Sequence, residues 1–275
     1  MEGLQVFLLA VVQGIAEFLP ISSSGHLAVL GQVFGFDPES NVRLNVILHA
    51  GTLLAILVFY FHTLWNILVN KSQWRIIGLV VVGSIPAAVI GLGIKKTGLD
   101  MQLFNNLLTP GIGFLLTALM LQFAMQRKVN AENGLALERM NFKQALGIGV
   151  AQGIAIVPGI SRSGSTIAAA LRCRITPADS AKFSFLLAIP AIGGAALLDL
   201  LEALKAGPDA TASDGSIALW MLVMGFVVSA VVGFFALKIL LKLLQRGKLQ
   251  WFSWYLYCVG VLVLLYWAYC NWFRR

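Results

Sequence analysis

The sequence predicts an all-α polytopic membrane protein built as an inverted repeat. Each half has one re-entrant helical hairpin plus three transmembrane helices, six spans in total. Three observations carry this expectation. The chain is 59% hydrophobic and only 12% charged, with a mean hydropathy of +0.84, whereas a soluble protein carries about twice that charge. Several apolar runs reach the roughly 20 residues that cross a bilayer core. A polar stretch is also written twice: QGIAEFLPISSSGHL at 13–27 returns as QGIAIVPGISRSGSTI at 152–167, at a constant offset of 139 residues. The differences between the copies fall on chemistry: Glu17 against Ile156, Ser23 against Arg162, and His26 against Ser165.

Taken in order, residues 4–12 are apolar but too short to cross, and Pro20 with three serines follows directly. A second short apolar piece, 27–36, completes a re-entrant hairpin. Irregular backbone at membrane depth is tolerated only where protein buries it or where it lines a wet cavity, so the break marks a cavity. Spans follow at about 45–61, 76–94 and 103–125. The polar segment 126–142 reads as a loop between halves. The pattern then restarts, with a short apolar piece at 145–157, a break at 158–166, the return from 167, and spans at about 183–201, 217–241 and 252–272. The chain thus reads as a single integral membrane domain, 1–275, with repeat halves of about 1–126 and 142–275. Fainter echoes agree: AVIG at 88–91 resembles AVVG at 230–233, and Arg43 and Lys182 each open a span. Pro86 and Pro190, within spans, read as kinks.

An odd number of crossings per half forces the second half to enter from the opposite side. The basic residues agree with that topology. Segments 62–75, 127–143, 172–182 and 238–250 are placed inside and hold 13 of the 20 Lys and Arg, as cytoplasmic loops do. The acidic stretch 202–214 and both termini fall outside. The net charge of +8 does not indicate nucleic acid, because the basic residues lie between apolar runs rather than along one face. Cys173, Cys258 and Cys270 show neither metal spacing nor an even count, and Cys258 and Cys270 read as small buried hydrophobes. The first basic residue is Arg43, so the N-terminal run lacks the positive region of a cleaved leader.

Arg162 is the most informative single residue. A guanidinium at membrane depth costs at least about 2.5–3.5 kcal/mol at a helix centre and needs a partner or a watery cavity. Ser161, Ser163, Ser165 and Thr166 flank it, with Gly159 and Gly164. Hydroxyls, backbone N–H groups and a forked cation at a helix start suit an anion such as phosphate. The bland alternative is a structural arginine paired to a carboxylate. Glu17 follows Gln13 by one helical turn, so both project from one face; they suit a hard cation or a water, or Glu17 simply neutralises Arg162. His26 ends the serine-rich break, where it is placed to act as nucleophile, acid or base. His49, early in an apolar span, either packs near the cavity or faces another helix, the blander reading, and His62 reads as interfacial. Trp65, Trp251, Trp254, Trp267 and Trp272 are interface anchors.

These two motifs resemble those of the bacterial undecaprenyl-diphosphate phosphatases, the family linked to bacitracin resistance. They stand here as Gln13-Gly14-Ile15-Ala16-Glu17 with Ser22-Ser23-Ser24-Gly25-His26, and as Pro158-Gly159-Ile160-Ser161-Arg162-Ser163-Gly164-Ser165-Thr166. The resemblance implies hydrolysis of undecaprenyl diphosphate to the monophosphate and inorganic phosphate, recycling the lipid carrier for cell-wall synthesis. It also implies a divalent cation, Mg²⁺ or Ca²⁺, and a multi-pass place in the bacterial cytoplasmic membrane with the site opening outward. By the same resemblance Glu17 and Gln13 would handle metal or water, and Ser23 and His26 would lie at the reacting phosphorus. Ser161, Arg162, Ser163, Thr166 and Ser24 would hold the diphosphate. Gln13 stands where some members carry Glu. The implied partners are the polyprenyl diphosphate and membrane lipids, with no nucleic acid and a homodimer as the candidate assembly.

Two rivals stand beside this reading. The type 2 phosphatidic acid phosphatases share Ser-Gly-His and Ser-Arg segments but place a second His six residues after the Arg, where this chain has Ala168. Inverted repeats meeting at an anion site also describe transporters, and a transporter needs no nucleophile.

Overall fold

The computed structural model describes residues 3–34, 42–99, 103, 106–127, 129–130, 132–212 and 217–273. Its elements are helical, and among these residues the only β pairing is an isolated bridge between Leu135 and Ile175. Helices α1 (Gly3–Phe18) and α2 (Ser23–Phe34) form the first broken pair. Then come α3 (Val42–Phe59), α4 (Phe61–Val69), α5 (Trp74–Thr97) and α6 (Leu108–Met125). The second broken pair is α7 (Phe142–Ile154) and α8 (Arg162–Arg172), followed by α9 (Pro177–Ala212), α10 (Leu219–Gln245) and α11 (Gln250–Phe273).

Five helices are long and apolar enough to cross a membrane, and a sixth span results if α3 and α4, bent by 68° at Tyr60, count as one. The six lie at the six predicted positions, and their bounds differ in two instructive places. Residues 62–69, expected in a loop, are helical: the helix Phe61–Val69, FHTLWNILV, buries Ile67 and leaves Phe61, Trp65, Leu68 and Val69 exposed. Staying helical past the bend keeps the backbone groups of this apolar piece paired with one another, as a segment without water requires. Helix α9 begins at Pro177 and runs on to Ala212, through most of the stretch expected as an acidic loop. Pro at the first helical position costs no hydrogen bond, which accounts for the early start. Pro86 and Pro190 lie inside α5 and α9 without ending them. Of the parts expected outside, residues 1–2, 213–214 and 274–275 lie outside the described residues.

The halves interlock. Helix α1 packs on α10 and, less, on α3, and α7 packs on α5, so each half sends its first helix against the second crossing of the other half. Without water to drive helices together, such contacts depend on close packing at small residues. Gly14 of α1 rests against Val232 and Gly233, and Gly153 of α7 rests against Ile90. The two echoing segments thus each lie against a first helix, 88–91 against α7 and 230–233 against α1. Many large Leu, Val, Ile, Phe and Trp side chains are exposed along the long helices, the pattern of a lipid-facing belt rather than a wet surface. Cys258 belongs to it: the side chain is exposed on α11 and does not pack inside as the sequence suggested. Apolar surroundings on the lipid side satisfy a thiol as well as a core does.

The segments predicted to lie inside meet at one end. Arg75 donates to the Glu138 carbonyl at 2.8 Å, Lys182 lies 4.0 Å from the Glu138 carboxylate, and Arg127 donates to the Arg172 carbonyl at 2.8 Å. Gln126 and Gln250 line one shared hollow. The basic loops thus form one face.

Candidate active site at the two breaks

Both breaks deliver a helix start to the same point. Along α1, Val6, Leu9, Ala10, Gln13 and Glu17 fall at three- to four-residue spacing and are all buried. That stripe turns the carboxylate inward. After Phe18 the chain unwinds, Pro20 and the positive φ of Ser22 (69°) redirect it, and α2 starts at Ser23. In the second half Ser161 caps α8, accepting from Gly164 N–H at 3.1 Å, and α8 starts at Arg162. Ser23 and Arg162 are equivalent positions of the repeat, and both reach one side chain. Glu17 Oε2 accepts from Ser23 Oγ at 2.7 Å, and Glu17 Oε1 accepts from Arg162 Nη2 at 2.6 Å. Gln13 Nε2 donates to Glu17 Oε2 at 3.1 Å.

A carboxylate between two helix starts is held by both positive ends and by a guanidinium. The bland alternative for Arg162, an ion pair with Glu17, is thereby what the structure contains. It does not exclude an anion site. A guanidinium has five N–H donors, and only the bond to Glu17 and a long 3.5 Å contact to the Ser184 carbonyl are described. The same two helix starts that suit a carboxylate suit a phosphate.

The breaks touch through glycines. A Cβ on Gly25 would meet the Phe114 ring and Gly159 Cα at 2.6–2.9 Å. Gly159 has φ +86° and lies against the Pro110 carbonyl of α6. Gly159→Ala combines a disfavoured backbone with a clash against main chain, and we expect a cost of about 2 kcal/mol or more. A lowered unfolding temperature in detergent, with loss of turnover, is the expected reading; an unchanged one contradicts this packing.

The hydroxyls around the two breaks divide by their partners. Thr117 of α6 accepts from the Ser161 N–H at 2.9 Å and donates towards the Gly159 and Gly113 carbonyls. Ser163 Oγ donates to the Leu19 carbonyl at 3.2 Å and lies 3.2 Å from Ser161 Oγ, tying the second break to the first. Thr166 Oγ1 donates to the Arg162 carbonyl at 2.8 Å and lies 2.6 Å from Ser184 Oγ of α9. These three hydroxyls are buried and spent on the fold around Arg162. Ser24 Oγ lies 3.4 Å from Ser22 Oγ.

His26 is turned another way. Its Nδ1 donates to the Ser22 carbonyl at 2.8 Å, which fixes the tautomer, and Nε2 accepts from Tyr255 OH at 2.7 Å. The ring stacks on Tyr255 (5.7 Å, 6°) and meets Phe114 edge-on at 4.9 Å. Neither Tyr255, Thr117 nor Ser184 was singled out by sequence. His49 faces another helix, α1, and does so at the site: Nε2 stands 3.8 Å from Glu17 Oε2 while Nδ1 bonds the Asn45 carbonyl. The signal available was a histidine early in a span whose neighbours are small, Ala50 and Gly51. Tyr255→Phe removes one neutral hydrogen bond worth about 1 kcal/mol, so turnover should fall by less than about tenfold; a collapse of activity would make Tyr255 a reacting group.

The donor set bears on a cation. Among the described residues no three His, Cys, Asp or Glu cluster as metal ligands. Glu17 supplies one carboxylate, and the buried Gln13 Oε1 has no described partner. One carboxylate and an orphan amide oxygen fit a hard ion that keeps waters and takes phosphate oxygens from substrate, as Mg²⁺ does, rather than an all-protein cage.

Comparison with known proteins decides the family. The family described as Bacitracin resistance protein BacA matches residues 6–262. The chain belongs to that family. Among its relatives, a protein named undecaprenyl-diphosphatase from Carboxydothermus hydrogenoformans is 41% identical over 266 residues, covering 96% of this chain and 97% of the relative. Proteins of the same name from Rhodopirellula baltica and Halothermothrix orenii are 42% and 37% identical, each over 96% of this chain and 98% of its own length. Both breaks, with every site residue, fall inside the matched BacA region.

Proposed function

We propose that this BacA family member hydrolyses undecaprenyl diphosphate to undecaprenyl phosphate and inorganic phosphate. Family membership and the named relatives support the reaction, and the observation that carries its placement is the convergence of Ser23 and Arg162 on Glu17. The transporter reading is not favoured, because the polar groups at the breaks include a serine hydroxyl bonded to a carboxylate. The terminal phosphate binds at the starts of α2 and α8, where its oxygens replace Glu17 Oε1 on Arg162. The guanidinium fork then offsets charge on the transferring phosphoryl group.

In our proposal Ser23 is the nucleophile and Glu17 its base. Ser23 Oγ bonds to the terminal phosphorus as the bond to the bridging oxygen breaks, and that electron pair leaves on undecaprenyl phosphate. The Ser23 proton passes to Glu17 Oε2 and on to solvent. Water then attacks the phosphoserine; one proton returns through Glu17 to Ser23 Oγ, and the other stays on the released phosphate. His26, tied to Ser22 and Tyr255, borders the leaving group and positions it. Ser24, Ser161, Ser163 and Thr166 hold the phosphate-binding backbone in place. A divalent cation held by Glu17 and Gln13, Mg²⁺ or Ca²⁺, would neutralise charge on the diphosphate. The prenyl tail lies along the apolar outer faces. The inverted topology, a cytoplasmic-membrane location with basic loops inside, and a site open to the outer side complete the proposal.

Acid quench during turnover of labelled substrate tests the nucleophile. Label surviving acid on the protein and lost in Ser23→Ala supports Ser23. Acid-labile, base-stable label, the behaviour of phosphohistidine, transfers the role to His26.

A further inference from the structure

The face that gathers the basic loops contains a concavity of about 300 Å³ lined by Arg127, Val129, Asn133 and Arg174. That volume is at the lower end of ligand pockets. Its walls come from the linker between halves and from the turn joining α8 to α9. They are fastened by the bridge at Leu135 and Ile175, where Leu135 N–H donates to the Arg174 carbonyl at 2.7 Å and Thr176 N–H to the Leu135 carbonyl at 3.0 Å. Arg127 is held in place through its bond to the Arg172 carbonyl. Among the described residues no carboxylate lines the hollow; Glu132, in the same loop, is exposed and outside the lining.

Arg174 is also one of two non-glycine residues described with positive φ, at 65°. Glycine takes that conformation freely, whereas a residue with a Cβ is strained in it. The other is Ser22, at the active site. Strain of this kind persists where the surroundings over-determine it, commonly at ligand sites. Two guanidiniums facing one hollow repel each other unless an anion lies between them, and the arginine fork matches phosphate oxygens.

We propose that this concavity is a second phosphate-binding site, for a phosphate monoester or diester group, distinct from the one at Arg162. Helix α8 joins the two sites: Arg162 begins it and Arg172 ends it, which at 1.5 Å per residue separates them by about 15 Å. The phosphate comes either from an anionic phospholipid headgroup or from soluble phosphate.

The full chain tests this with two variants. Arg174→Gly removes the guanidinium and relieves the backbone, so it should unfold at or above the wild-type temperature. Arg174→Gln keeps the length and removes the charge. Calorimetric titration with inorganic phosphate reads the soluble source. Native mass spectrometry of protein released from phosphatidylglycerol nanodiscs reads the lipid source. Losing a charge-assisted bond should weaken the occupied source by about tenfold or more in both variants, while phosphate release from prenyl diphosphate stays at the wild-type rate. Loss of one bound inorganic phosphate assigns the soluble source, and loss of retained phosphatidylglycerol assigns the lipid. Unchanged binding of both in both variants overturns the site.

Discussion

Arg162→Ala should lose turnover by about 10³-fold, the scale on which one electrostatic donor to a transition state is worth. Two effects must be separated to read it. The substitution also leaves Glu17, which is 7% exposed, without its 2.6 Å partner, and breaking a buried pair on one side destabilises by about 3–5 kcal/mol. A lowered unfolding temperature is therefore expected alongside the lost rate. The double variant Glu17→Gln, Arg162→Met removes both charges and should recover much of the stability, because replacing a buried pair by uncharged groups is often neutral. Turnover should remain lost. Arg162→Lys keeps the charge but not the fork, and should restore the fold more than the rate. Near-wild-type turnover in Arg162→Ala would remove the residue from the chemistry.

Ser23→Ala is the second large effect. In this account the hydroxyl forms the bond to phosphorus, and loss of a nucleophile can cost on the order of 10⁶ in kcat. The fold should tolerate it. Ser23 gives Glu17 one of several bonds, and Arg162 and Gln13 still satisfy the carboxylate. Stability should change by only about 1 kcal/mol, so a rate fallen to background in a folded protein is the expected result. Retained turnover in folded Ser23→Ala would pass the attack to water oriented by Glu17 or to His26.

The breaks were legible in the sequence because they defy the membrane's rule: Pro20 with serines, and Pro158 with Gly159, interrupt apolar runs that would otherwise continue. The shared face of Gln13 and Glu17 followed from helical spacing. The convergence of Ser23 and Arg162 on one carboxylate was implicit in the repeat, since equivalent positions start both α2 and α8. What sequence could not supply were contacts across the fold. Tyr255 is 229 residues from His26, and no periodicity joins α11 to the first break. The approach of His49 to Glu17 depends on how α3 packs on α1. Segment 62–69 reads as a loop because it connects the spans at 45–61 and 76–94 and leads into Lys71 and Arg75. The bend at Tyr60 instead lets the helix continue along a new axis.

The most direct test is phosphate release from a long-chain prenyl diphosphate by purified protein in detergent, with and without excess chelator, beside Arg162→Ala. The account predicts release by wild type, its loss on chelation, and its loss both in Arg162→Ala and in the folded double variant Glu17→Gln, Arg162→Met. Substrate bound by folded wild type with no phosphate released would contradict it.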